Sequence, residues 1–144
     1  MLVSQILKTK SDDVVVTSLP SLTVSEAAKE LSEKRIGTLV ISSDGKAPLG
    51  ILSERDIVRE LGRQGTGCLN FTVDQLMTKE LVTCSKDERS EAILQKMTEG
   101  RFRHMPVLED GALVGLISLG DVVKARLAEL AMEKDALEGM IMGH

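Results

Sequence analysis

Gly50-Ile51-Leu52-Ser53-Glu54-Arg55-Asp56-Ile57-Val58 recurs as Gly115-Leu116-Ile117-Ser118-Leu119-Gly120-Asp121-Val122-Val123, a shift of 65 positions. Ser25-Glu26-Ala27 recurs as Ser90-Glu91-Ala92 at the same shift, whereas Ile36 matches Phe102 and Asp44-Gly45 matches Asp110-Gly111 at 66. Single-residue insertions in the connecting loops absorb the difference. The chain is one unit written twice. A duplication that keeps a polar Ser and Asp beside apolar strands implies two equivalent sites about an approximate two-fold axis.

Working outward from that stretch, Thr38 to Ser42 and Pro48 to Leu52 are short apolar runs joined through Ser43-Asp44-Gly45, and Asp-Gly favours a hairpin turn. Ahead of them, Thr23-Val24-Ser25-Glu26 has the form that closes a helix N-terminus reciprocally, and Ala27, Ala28 and Leu31 continue an apolar stripe until Gly37. Val14-Val15-Val16 is β-branched and reads as a strand ended by Pro20. Ser53 opens a second helix through Ile57, Val58 and Leu61, ended by Gly62. The unit is β-α-β-β-α, and a short helix precedes each copy, over Leu2 to Lys8 and over Val73 to Met77.

The second copy repeats the order, with a strand at Leu81 to Thr83, a helix over Asp87 to Glu99, a hairpin of Met105 to Leu108 with Leu113 to Ser118, and a helix from Leu119. Residues 1–67 hold the first copy with its leading helix and a flexible Gly62–Gly67 linker, and residues 68–144 hold the second. Those linker glycines are not a phosphate loop, because no Gly-Lys-Ser/Thr follows and no strand precedes. The fold class is α/β (α+β), two half-domains sharing one core. The last helix spaces Val123, Leu127, Leu130, Leu137 and Ile141 along one stripe and extends beyond its counterpart, which points to a homodimer. Folding back on its own domain is the alternative.

Composition narrows the partners. Two Phe with no Tyr or Trp leave no aromatic platform for bases, and a net charge of −4 with no basic run does not suit a phosphate backbone. Nucleic acid is therefore not expected. Cys68 and Cys84 have neither metal-ligand nor disulfide-framework spacing. The longest apolar run, Gly111 to Gly120, falls far short of the ~18 residues of a membrane span. The first residues lack a signal-peptide pattern, so a cytoplasmic location is expected.

The two Ser-x-x-Asp turns carry the candidate sites. A carboxylate is a natural double acceptor for the vicinal hydroxyls of a ribose, which makes Asp56 and Asp121 candidates. Ser53 and Ser118 stand at helix starts whose free N–H groups and dipole favour a phosphate. The same spacing is close to a capping box that needs no ligand. The preceding glycine, read as room for a ligand near the backbone, and the recurrence in both copies favour binding. Arg55 adds a cation to the first copy, where Gly120 stands in the second, so the Asp56 site is the better equipped for charge. Arg101 and Arg103, within Arg101-Phe102-Arg103-His104-Met105-Pro106, bring two guanidinium groups near where a phosphate chain could lie, Arg103 the better candidate, and His104 reads as a packing or ligand-contact residue. Arg101 reads equally as a helix-end cation; Lys10 could reach a phosphate from the segment before the first strand, but an exposed lysine is its default reading and it is left out of the site. His104 lacks the companions of a general base, and His144 is terminal.

Gly50 to Val58, Gly115 to Val123, Arg103 to Val107 and Val73 to Met77 together resemble a tandem CBS-domain protein, the Bateman module, of stand-alone bacterial type. The resemblance covers nearly the whole chain. It implies two repeats packed with pseudo-two-fold symmetry and adenosyl ligands in the clefts between them: AMP, ADP or ATP, NAD(H), or S-adenosylmethionine. It also implies that main-chain groups near Thr17, Thr83, Gly37, Thr38 and Met105, beside Pro106, read the base. A regulatory module acting on an unknown protein partner is expected, with no catalytic residues and no metal. An empty structural dimerisation module is the alternative. An enzyme of the IMP dehydrogenase type would need a catalytic barrel of ~250 residues that the two repeats leave no room for.

Overall fold

The computed structural model describes residues 1–10 and 15–142. Val14 of the expected first strand and His144 lie outside the described residues. In chain order the elements are α1 (Val3–Thr9), β1 (Thr17–Ser18), α2 (Val24–Lys34), β2 (Thr38–Ile41), β3 (Gly50–Ser53) and α3 (Glu54–Gln64). Two 3-10 turns, Gly65–Asn70 and Val73–Gln75, lead to α4 (Ser90–Gly100), β4 (His104–Glu109), β5 (Ala112–Ser118) and α5 (Leu119–Ile141).

In the first repeat β1 runs parallel to β2, Ser18 against Ile41, and β2 pairs antiparallel with β3 from Thr38↔Ser53 to Ile41↔Gly50. Strand pairing thus starts after Val15 and Val16. In the second repeat β4 and β5 form a hairpin from His104↔Ser118 to Glu109↔Ala112. Its turn takes positive φ at both Asp110 (53°) and Gly111 (78°), as a tight hairpin requires.

The expected strand at Leu81 to Thr83 is replaced by a single bridge, Cys84 with Val107, 66 positions from Ser18 with Ile41. The cause is Pro106, which stands where the first repeat has Val40. Cys84 N–H donates to Pro106 O at 3.0 Å and Leu108 N–H to Cys84 O at 2.9 Å. Pro106 has no N–H to continue the ladder toward residue 82.

Two hydrophobic clusters fill the interior, not one shared core. Each takes the leading segment of the other repeat. Val3 and Ile6 of α1 pack with Ile93, Met97, Met105 and Ile117 of the second repeat, while Val73, Leu76 and Met77 join Val24, Leu39 and Leu52 of the first. Matched backbone bonds tie the exchange. Ser90 N–H donates to Met1 O (2.9 Å) and Val3 N–H to Glu88 O (2.9 Å); Val24 N–H donates to Phe71 O (2.8 Å) and Val73 N–H to Leu22 O (2.8 Å).

These bonds align Ser90 with Val24, a shift of 66, so the apparent Ser-Glu-Ala repeat is one residue out of structural register. Ser90 is fully buried where Val24 is, its hydroxyl donating to Glu129 Oε1 at 2.8 Å. The tie to Met1 also sets the start of α4, three residues later than the expected Asp87. Helix α2 keeps its reciprocal cap, Thr23 with Glu26, whereas Arg89 at the start of α4 makes no side-chain cap.

Helix α3 runs past Gly62 and stops at Gly65, whose φ of 75° ends it. The expected flexible linker is therefore ordered. It runs into the 3-10 turn Gly65–Asn70, whose Cys68 is buried, and Leu69 and Phe71 pack on the first cluster. At the other end, α5 carries no buried residue from Ala131 onward. Leu127, Leu130, Leu137 and Ile141 are exposed: α5 packs on its own repeat through Val122 and Ala125, and its distal half does not fold back.

Candidate functional site

Two clefts open between the repeats. One, about 560 Å³, is bordered by Ser53, Arg55 and Asp56, with Arg101 and Arg103 reaching it from the second repeat. The other, about 670 Å³, is bordered by Gly115, Leu116 and Ser118, with Lys10, Val15 and Val16 from the first. Gly37, Thr38 and His104 line both. Thr38 faces Ser53 across β2–β3 as His104 faces Ser118 across β4–β5, so the two are equivalent by the repeat. They meet at the pseudo-two-fold axis, Thr38 Oγ1 lying 3.0 Å from His104 Nδ1.

Each Ser-x-x-Asp turn closes on itself. Ser53 Oγ accepts from Asp56 N–H at 3.2 Å while Asp56 Oδ2 accepts from Ser53 N–H at 2.8 Å; the second copy repeats this at 3.1 and 2.9 Å between Ser118 and Asp121. Both capping boxes exist, and each leaves its carboxylate beside a cleft with a second partner. Asp56 Oδ1 accepts from the Arg59 guanidinium at 2.7 Å, and Asp121 Oδ2 lies 2.9 Å from Lys10 Nζ. Burial opposes the charge of Asp121. The Ser118 N–H and the Lys10 ammonium outweigh it and hold the carboxyl below the ordinary carboxylate range.

His104 is pushed the other way for a base. Burial, then the nearby Lys10 ammonium, lowers its pKa below the ordinary imidazole value, against the opposing pull of Asp121. A neutral ring keeps one donor and one acceptor nitrogen, which suits the contact with the Thr38 hydroxyl.

The glycine before each turn has a packing role beside the one expected, and Gly115 also lines its cleft. A Cβ at Gly50 would stand 2.6 Å from Met77 Sδ and 2.9 Å from Thr78 O; at Gly115 it would stand 2.8 Å from Leu7 Cδ2. Both glycines admit the exchanged leading segment. Neither Met105 nor Pro106 lines a cleft: both side chains are buried, Met105 in the second cluster, which leaves only main-chain groups of that strand for the base contact that the resemblance implies. Thr17 and Thr83 border neither cleft; Val15, Val16, Leu81 and Val82, just upstream, do.

Several lining residues escaped the sequence reading. Arg59 was legible as the i+3 partner of Asp56. Glu54 and Glu80 join the Asp56 cleft, which therefore mixes four arginines with three carboxylates. The Ser118 cleft carries Lys8, Lys10 and Lys86 and no carboxylate among its described lining residues. Its net positive charge is thus the greater, contrary to expectation, and Lys10 is not a free surface lysine. Among the described residues no cluster of His, Cys, Asp and Glu is placed to hold a metal ion, and no helix is long and apolar enough to cross a membrane.

The family model described as the CBS domain matches residues 3–63 and 73–128. The chain belongs to the CBS-domain family. Its two matches are the two repeats. A curated relative, the CBS domain-containing protein CBSX3, mitochondrial, of Arabidopsis thaliana, is 35% identical over 84% of this chain, which spans 61% of that relative's length. The crystal structure of the CBS-domain containing protein ATU1752 from Agrobacterium tumefaciens superposes with a TM-score of 0.83 at 40% identity, covering 88% of this chain and 99% of that one. Two further CBS structures hold ligands. PAE2072 from Pyrobaculum aerophilum is complexed with AMP (27% identity, TM-score 0.76, 92% and 99% covered), and the CBS domain pair of MJ0100 with 5′-methylthioadenosine and S-adenosyl-L-methionine (25%, 0.77, 90% and 98%).

Proposed function

We propose that this CBS pair is an adenine-nucleotide-binding regulatory module, taking AMP, ADP or ATP in one or both clefts and acting through a homodimer on a protein partner. The observation that carries the reading is the paired cleft: a Ser-x-x-Asp helix start on one wall and cations from the other repeat opposite, with Asp56 lining one cleft and Asp121 behind the lining Lys10 of the other, in a chain whose family includes a structure with AMP. Asp56 and Asp121 would take the ribose hydroxyls. Ser53 and Ser118, with the helix N-terminal N–H groups, would take phosphate, aided by Arg55 and Arg103 on one side. Upstream residues of both repeats would flank the base. NAD(H) and S-adenosylmethionine are the adenosyl alternatives, and the module performs no chemistry of its own.

The exposed stripe of α5 supports the homodimer, since Leu127, Leu130, Leu137 and Ile141 have no cover among the described residues. A strictly monomeric mass in light scattering at micromolar concentration would remove that part. Isothermal titration with AMP, ATP and NADH tests the ligand: heat at micromolar concentration is expected with at least one, and none with any of them would overturn the reading.

The closed capping boxes favour a second reading, in which the clefts stay empty and the module only dimerises. Asp56→Ala and Asp121→Ala separate the two. A sensor loses ligand affinity and the ligand-induced rise in melting temperature; a purely structural turn loses ~1 kcal/mol of cap stability with no ligand effect in the parent chain.

A further inference from the structure

Beside the Ser118 cleft the carboxylate assigned to ribose, Asp121, already holds Lys10, a cation that lines the cleft. Lys10 Nζ lies 2.9 Å from Asp121 Oδ2 and donates to Leu116 O at 2.7 Å. Both side chains are mostly withdrawn from solvent, at 28% and 24% exposure. In the first repeat the counterpart of Leu116 O is Ile51 O, which accepts from the Thr78 backbone N–H at 2.9 Å. Here a mobile ammonium takes the place of a main-chain donor. At the offset of 70 that relates Leu7 to Met77 against the two glycines, Lys10 corresponds to Glu80, which lines the Asp56 cleft. One equivalent position therefore carries opposite charge in the two clefts.

We propose that Lys10 makes the Ser118 cleft selective for phosphorylated adenosyl ligands over uncharged nucleosides, by occupying Asp121 until a phosphate draws it away. This deepens the nucleotide reading and rests on it. A ribose reaching Asp121 must displace the ammonium from Oδ2, and neutral hydroxyls leave that cation in a partly desolvated cleft without an anion. A ligand phosphate supplies the missing anion. Lys10 then exchanges one charged partner for another as the carboxylate turns to the sugar, so phosphate and ribose are recognised together. In the Asp56 cleft the matching position is Glu80, which offers no cation to exchange, and Arg59 grips the carboxylate from the same helix. No such exchange operates there.

The test is calorimetric titration of the full chain with adenosine and with AMP, in an Asp56→Ala background so that the Ser118 cleft is read, comparing Lys10 with Lys10→Met and Lys10→Arg. With Lys10, AMP is expected to bind at least ~30-fold more tightly than adenosine; Lys10→Met narrows the ratio to ~3-fold by gaining adenosine affinity and losing AMP affinity; Lys10→Arg keeps the preference. A ratio unchanged in Lys10→Met, or equal losses for both ligands, overturns the proposal while nucleotide binding stands. Absence of binding by the unsubstituted chain overturns the nucleotide reading itself. Independently of any variant folding, the Lys10 side-chain NMR resonances should move on adding AMP at concentrations at which adenosine leaves them in place, and equal movement at equal concentrations of the two would overturn the proposal.

Discussion

The two repeats are the same unit under different constraints, and what separates them lies in single side chains. The first repeat has a paired β1, a capped α2 and a cleft where Asp56 is held by Arg59. The second has a single bridge at Cys84, a helix α4 without a side-chain cap, and a carboxylate held across the repeat boundary by Lys10. Pro106 for Val40, Arg89 for Thr23 and Lys10 for Glu80 account for these differences. What stays common is the exchange of leading segments, which makes each repeat's core depend on residues numbered in the other. Independent folding of the halves is not expected from such an arrangement.

The largest effect should come from breaking that exchange. Ile6 is 1% exposed in the second cluster although it precedes the first repeat. Ile6→Ala is expected to cost about 2–5 kcal/mol in urea unfolding, and amide exchange should accelerate first in β4 and β5. Acceleration confined to β1–β3 would show that α1 belongs to its own repeat.

A second, smaller effect sharpens the comparison at the two glycines. Added methyl groups meet Met77 and the Thr78 carbonyl at Gly50 but only Leu7 side-chain atoms among the nearest neighbours at Gly115. A rigid carbonyl at 2.9 Å cannot rotate away as a leucine tip can. Gly50→Ala should therefore destabilise by about 2–3 kcal/mol and Gly115→Ala by about 1 kcal/mol, measured by thermal unfolding. Equal costs would remove the distinction between the two contacts.

Much of this was legible in the chain. The duplicated Gly-apolar-apolar-Ser-x-x-Asp stretch fixed the repeat, the hairpins and both helix starts, because periodicity and capping are local properties that sequence spacing reports directly. The exchange was not legible: Leu2, Val3 and Ile6 announce an apolar helix face without saying which sheet receives it. Lys10 escaped for the same reason, since its partner stands more than a hundred residues away and nothing near it in sequence marks it. Pro106 could have been used. A proline at the position of Val40 already excludes the ladder bond that the expected strand at Leu81–Thr83 would need.

Acid should separate the clefts by a more modest margin. Asp121 has its carboxyl lowered in the folded chain, so its contribution is present above the ordinary aspartate value near 3.9 and is lost as pH falls through the native value. His104 is also lowered, so the folded state resists protonation; stability holds above the ordinary histidine value near 6.5 and declines as pH falls below it toward the native one. Melting temperature should begin to fall below about pH 6.5 and fall again below about pH 4. In His104→Gln the first of these declines should vanish and the second remain. A first decline of unchanged size in His104→Gln would assign it to another group.

The smallest expected effect concerns Pro106. Pro106→Val returns the N–H that the first repeat has at Val40, and with it a donor toward the carbonyl of Val82. A net hydrogen bond stabilises by about 0.5–1.5 kcal/mol, while releasing a proline gives the unfolded chain back freedom worth about 0.4–1 kcal/mol. The two nearly cancel, so the change in unfolding free energy should stay within about 0.5 kcal/mol and is the wrong readout. Hydrogen exchange is the right one. The Cys84 amide, which already donates to residue 106 O at 3.0 Å, should exchange more slowly as a third backbone bond joins the two of its bridge, while Ser18 in the first repeat stays unchanged. Unaltered exchange at Cys84 would mean that the path of residues 81–83, and not the missing donor, keeps the second repeat one strand short.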